Sequence, residues 1–178
     1  MAIRPPKPPL ILGIDPSSTS TGYALLQGDN RLVTAGRVIP QAKDIRKRLK
    51  MMSVGIHEVI CGSQPRHIII EWTSGHTAGR IAKKRNMSNL ATYGMGIAIV
   101  WMTADCIVEK WSAEGIECDI HCIKENIWTR GRPKKKRQEE IRLIYPNYDY
   151  DNDSGGDAAD AIGIARYWMR MDKTMSWN

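Results

Sequence analysis

The chain has 178 residues, with 26 Lys plus Arg against 19 Asp plus Glu and a net charge of +7. That length suits one domain with its own core, and the basic surplus favours a polyanionic partner over an acidic one. Residues 1–9 are proline-rich without an apolar signal core, and no run approaches the ~20 apolar residues of a membrane span, so the expectation is a soluble, cytoplasmic protein without membrane contact.

After the flexible lead of residues 1–9, one folded domain is expected over residues 10–173, with a short tail at 174–178. Leu10 to Ile14 is an apolar run that predicts a buried strand; Asp15 ends it and Pro16 bars further pairing. Small hydroxyl residues from Ser17 to Thr21 lead through Gly22 into a second strand, Tyr23 to Leu26. A carboxylate where a strand leaves the core is costly without a partner, so a metal or basic group is expected beside Asp15. Gly28-Asp29-Asn30 reads as a turn into a third antiparallel strand, Arg31 to Ile39. From Asp44 to Ile60, apolar residues recur at helical spacing, opposite Arg46, Lys47, Arg48 and Lys50.

His67 to Trp72 is a second aliphatic strand finishing in an acid, Glu71. If the strands from Leu10 and His67 are parallel neighbours, Asp15 and Glu71 meet in one crevice at their carboxyl ends. Residues 73–86 form a Gly-, His- and Lys-rich loop whose Lys83, Lys84 and Arg85 suit phosphate contact. Leu90 to Glu114 predicts a long helix, apolar on most of its circumference, with small residues that permit packing on the sheet or on another subunit. Ile116 to Cys122 predicts a further short strand. The four cysteines show no paired spacing; Cys118 and Cys122 flank His121, but no second pair lies at a usable distance, which predicts free thiols in a reducing compartment.

The most basic segment holds Arg130, Arg132, Lys134, Lys135, Lys136 and Arg137, with Pro133 opening a helix that runs to Tyr145. Cations there oppose the helix dipole, a local cost better explained by a bound polyanion than by fold stability. An acidic loop from Tyr148 to Gly156 precedes a helix carrying Asp157 and Asp160 at i and i+3, on one face. Capping, with Ser154 as N-cap, accounts for Asp157 in the first turn. It does not account for Asp160, which falls on an otherwise apolar, core-facing surface.

Asp15, Glu71, Asp157 and Asp160 can thus point into one crevice. Clustered like charges need compensation, and Mg²⁺ supplies it because it prefers oxygen ligands. Two such ions ~3.5–4 Å apart clamp the attacking and leaving oxygens of an in-line phosphoryl displacement. Basic segments beside the acids would hold a nucleic-acid backbone, and the combination fits a nuclease.

Gly13-Ile14-Asp15-Pro16 with Thr21-Gly22-Tyr23, and the final Asp157-Ala158-Ala159-Asp160-Ala161 helix, resemble the RuvC family of Holliday-junction resolvases. The order Asp15, Glu71, Asp157, Asp160 matches the family's four acids, and the resemblance covers nearly the whole chain. It implies a ribonuclease H-like α/β fold: a mixed central sheet of three antiparallel strands followed by parallel ones, flanked by helices. It implies a homodimer that makes paired nicks in four-way DNA junctions, with Mg²⁺ or Mn²⁺ as cofactor and the long helix as dimer face; it specifies no motor partner. Lys136 is the counterpart it suggests for the family's lysine near the site. Ser74 stands where bacterial members often carry an aromatic, and Trp72 beside Glu71 either replaces it by stacking on a base or belongs to the core. The divergent middle of the chain is compatible with a phage- or virus-encoded member. A hybrid-, flap- or fork-cutting nuclease of the same fold remains the alternative; an actin-like ATPase needs a duplicated domain that 178 residues do not hold.

Overall fold

A computed structural model describes residues 8–28, 30–72, 87–153 and 155–172. Five strands form one sheet: β1 (Leu10–Asp15), β2 (Thr21–Gln27), β3 (Arg31–Val38), β4 (His67–Trp72) and β5 (Asp119–Lys124), in the order β3-β2-β1-β4-β5. β1 to β3 are antiparallel neighbours, whereas β4 runs parallel to both β1 and β5. The helices are α1 (Ile45–Ser63), α2 (Met87–Ala113), α3 (Glu125–Thr129), α4 (Lys134–Ile144) and α5 (Asp157–Asp172).

Strand alternation sends successive side chains to opposite faces. On one face Leu12, Ile14, Ile68 and Ile70 pack against Met52, Ile56 and Ile60 of α1 and Val100, Ala104 and Ile107 of α2. On the other, Ile11, Ile69 and Ile123 pack against Ala161, Ile162 and Ala165 of α5. The α5 layer is drawn in tightly because two strand positions lack a side chain. A Cβ on Gly13 would lie 2.4 Å from the Ala161 carbonyl oxygen, and one on Gly22 would lie 2.0 Å from that of Asp157.

Three expectations shift. β5 begins at Asp119 rather than Ile116, because the chain after α2 first turns back, Ile116 N–H donating to the Trp111 carbonyl. The segment after β5 adds a short helix, α3, that periodicity did not reveal. The long helix over Leu90–Ala113 does have the length and composition of a membrane span, contrary to the sequence expectation. Val100, Ala104, Ile107 and Trp111 nevertheless bury one side of it against α1 and the sheet. Asp44 caps α1, its carboxylate accepting from the Lys47 N–H at 2.9 Å. All four cysteines are free; Cys118 is buried and Cys122 exposed.

Candidate active site

The pleat that builds the core also aims the acids. β1 and β4 are in register up to Ile14 and Ile70. One residue further on, Asp15 and Glu71 therefore stand side by side, on the face that α5 covers. The first turn of α5 supplies Asp157 and Asp160. Glu71, Asp160 and Asp157 all bear electrostatically on Asp15, so the four acids form one cluster.

Their protonation reflects burial first and that crowding second. Burial first, then the Glu71 and Asp160 charges, push the Asp15 carboxyl well above its usual range, with Lys134 opposing. Glu71 is raised to about 7, chiefly by burial, against the pull of a hydrogen bond from Trp128. Asp160 is raised by burial, partly offset by Arg137 and Lys134. Burial, the largest single influence, would lower Lys134, but Asp160, Asp15 and Asp157 together outweigh it and hold the ammonium above its ordinary value.

Glu71, Asp157 and Asp160 are each held by a neighbour. Trp128 of α3 donates its indole N–H to Glu71 Oε2 at 2.6 Å, and both side chains are buried. Ser20 Oγ donates to Asp157 Oδ2 at 2.7 Å. Arg137 donates to Asp160 Oδ1 from Nη2 at 3.1 Å and stacks its guanidinium 4.8 Å from the Trp128 ring centre. Lys134 Nζ lies 3.1 Å from Asp160 Oδ2 and 3.5 Å from Asp157 Oδ1. The capping of α5 falls to Asp153, whose carboxylate accepts from the Ala158 and Ala159 N–H groups at 3.2 and 2.9 Å. Ser154, expected in that role, lies outside the described residues.

The lysine that reaches the acids is Lys134, whereas Lys136 is exposed on α4. Nearly two hundred degrees of helix separate the two positions, and α4 turns the first toward α5. The basic segment therefore divides. Lys134, half-exposed, and Arg137, largely covered, both reach α5 and neutralise acids, which offsets the dipole cost of cations at the start of α4. Arg132 pairs with Glu140, and Arg130 stands 6.0 Å over the Tyr167 ring. Lys135 is exposed with Lys136. Trp72, 46% exposed at the end of β4, is not a core residue. Lys83, Lys84 and Arg85 lie outside the described residues. Trp128, Asp153 and Ser20 escaped sequence analysis because nothing in their local spacing marks them; only the tertiary approach of α3 and α5 to the strands does. Glu125, which also raises Glu71, escaped for the same reason.

Residues 11–166 match the family model described as crossover junction endodeoxyribonuclease RuvC. The chain belongs to the RuvC family. The RuvC of Shewanella loihica is 31% identical over 163 residues, which cover 88% of this chain and 84% of that one. The RuvC of an Enterobacter species is 28% identical over 160 residues, with the same coverage. Among solved structures, Thermus thermophilus RuvC in complex with Holliday junction substrate superposes with a TM-score of 0.66 at 17% identity, covering 91% of this chain and 95% of that one. The yeast mitochondrial Holliday junction resolvase Ydc2 superposes at 0.60 with 14% identity, covering 92% and 80%. These two likenesses establish the RuvC-type fold: an α/β unit built on a mixed five-stranded sheet flanked by helices.

Proposed function

We propose that this chain is a metal-dependent endonuclease that resolves four-way DNA junctions, acting as a single domain over residues 10–173. The observation that carries the reading is the meeting of Asp15 and Glu71, from adjacent parallel strands, with Asp157 and Asp160 of α5 in a chain of the RuvC family. An all-oxygen donor set, buried enough to raise three of its carboxyls, suits hard divalent cations, and two Mg²⁺ ions fit it best, with Mn²⁺ as substitute. Bound there, such ions supply a more acidic water and charge compensation for a departing 3′ oxygen.

The chain's own residues perform the rest. Trp128 fixes the orientation of Glu71, and Ser20 that of Asp157. Lys134 and Arg137 hold Asp160 and limit the negative charge that an incoming phosphate meets. Lys135, Lys136 and Arg130, exposed beyond them, are placed to contact phosphates, and Lys83, Lys84 and Arg85 are assigned the same task from sequence. Trp72, exposed at the end of β4 next to Glu71 in sequence, offers a ring on which a base can stack. Met95, Trp101 and Met102 expose an apolar side of α2 through which two copies would pair, giving two sites for two symmetric nicks. Four free thiols are consistent with action in the reducing cytoplasm.

The test is cleavage of a labelled synthetic four-way junction beside matched linear duplex, flap and RNA–DNA hybrid, with Mg²⁺ and with chelator. Paired symmetric nicks confined to the junction and lost on chelation are expected. Asp15→Asn and Asp160→Asn should abolish cleavage while junction binding persists or tightens, since each removes negative charge beside the phosphates. Cutting of the hybrid or flap in place of the junction would move the function to another nuclease of the same fold.

A further inference from the structure

A second group of ligating side chains lies at the opposite end of the same strands. His67 opens β4, Asp119 opens β5 directly beside it in register, and His121 follows two residues later on β5. Alternation therefore puts all three on the α5 face, about 13 Å down β4 from Glu71. One ligand atom from each of the three lies within 4.8 Å of the others. We propose that His67, Asp119 and His121 form a second metal site that takes one late first-row divalent cation, with Zn²⁺ the best match.

The donor set selects the ion. Two imidazoles and one carboxylate suit Zn²⁺, Co²⁺ or Ni²⁺, whereas Mg²⁺ prefers oxygen ligands. Bonds of ~2.0–2.1 Å around a tetrahedral zinc imply ligand atoms roughly 3.4 Å apart. His67 Nδ1 and Asp119 Oδ2 already stand at 3.6 Å, and with all three ligand atoms within 4.8 Å of one another the remaining closure is at most about 1.4 Å. The other requirements are also met. His67 is buried and ordered by the sheet, and the Trp168 ring packs 4.1 Å from that of His121, fixing its plane. Asp119 is half-exposed, which gives an ion an entry route and leaves a coordination position for water. Arg66 lies 3.4 Å from Asp119, yet it also holds Glu117 at 3.2 Å and keeps that partner when a metal takes Asp119. Cys122 has the opposite strand parity and points to the other face, where Cys118 also packs, among Ile68, Ile70 and Val100.

Such an ion would tie the amino ends of β4 and β5 together beneath the carboxyl-terminal half of α5. Its effect is on stability, so the test does not depend on nuclease activity. Thermal unfolding and calorimetric titration with Zn²⁺ are carried out on the full chain, with Mg²⁺ in excess to occupy the carboxylate cluster. One Zn²⁺ per chain is expected, with Tm raised by about 5–10 °C at about a hundredfold excess over Kd. His121→Ala and Asp119→Asn, both at positions with solvent contact, should fold with near-native metal-free Tm and lose the Zn²⁺ response. Co²⁺ in place of Zn²⁺ should give tetrahedral visible absorption in the parent chain and none in His121→Ala. Absence of binding overturns the proposal. So does binding that survives His121→Ala, and Cys122→Ser would then test a thiol ligand in its place.

Discussion

Two positions separate Lys134 from Lys136, and on α4 that turns one toward the acids and the other away from them. Lys134 touches Asp160 and Asp157; Lys136 touches neither. Lys134→Met should therefore remove the cation that Asp157 and Asp160 share, leaving Arg137 alone on Asp160, and lower the rate of junction cleavage at saturating substrate by about a hundredfold, the scale of losing one preorganised charge. Lys136→Met should leave that rate within about twofold and instead weaken binding, with a shallower dependence of log K on log salt. Single-turnover kinetics beside a salt titration of binding separate the two. Equal rate losses in both variants would return Lys136 to the site. Trp128→Phe is the companion test on the other side of the cluster. It keeps the ring beneath Arg137 but removes the N–H that holds Glu71, which should raise Glu71 further above its present value of about 7. The pH midpoint of cleavage at limiting Mg²⁺ should then move upward, while an unchanged midpoint would mean the hydrogen bond does not tune Glu71.

At the scale of elements, the site depends on how closely α5 lies on the hairpin. Gly22 is where β2 meets the start of α5, and a Cβ there would fall 2.0 Å from the Asp157 carbonyl oxygen, a backbone atom that cannot turn aside. Gly22→Ala should push the helix start away, at about 1–3 kcal/mol of stability and a large loss of cleavage. Gly62→Ala, in α1 with open space around it, should be neutral or stabilising. Asp153→Ala removes the acceptor for two N–H groups of α5 and the partner of Arg37; it should cost about 2 kcal/mol, lowering Tm by about 4–8 °C. Chemical denaturation of the three variants checks both claims. These contacts also mark how far sequence could go. β1 and β4 were legible because aliphatic runs ending in Asp15 and Glu71 leave little else to form, and Asp157 and Asp160 because their i, i+3 spacing sets a polar pair on an apolar face. Asp153 was not, since an acid four residues before the helix looks like any loop acid until its chain bends back. α3 was not, since its five residues are too few to show a period. The choice between Lys134 and Lys136 depended on the rotation of α4 about its axis, which only its packing on α5 sets.

At the scale of the whole molecule, the cluster is a liability that the fold retains. Glu71 titrates near 7 when folded and near 4.5 when not, so between those values the folded state binds more protons than the unfolded one. Stability must then fall as pH rises through that window, and the loss is complete above about 7. Asp15 and Asp160 shift in the same direction, mainly through burial. Metal-free protein should accordingly lose about 1–3 kcal/mol between pH 5 and pH 8, a Tm decrease of about 3–8 °C. Divalent cations bind the charged carboxylates, so Mg²⁺ should restore much of that loss at pH 8 and little at pH 5, where a protonated Glu71 competes. Glu71→Gln and Asp160→Asn should flatten the metal-free profile and abolish the Mg²⁺ response together, because one set of charges causes both. The measurement is Tm against pH with and without Mg²⁺ for the parent and the two variants. A metal-free Tm that climbs from pH 5 to pH 8 in the parent, or variant profiles parallel to it, would mean that the charge of these acids is already compensated by Lys134 and Arg137. In that case the fold would tolerate the ionised cluster without metal, and the cations at the start of α4, rather than any bound ion, would be what makes four acids compatible with one crevice.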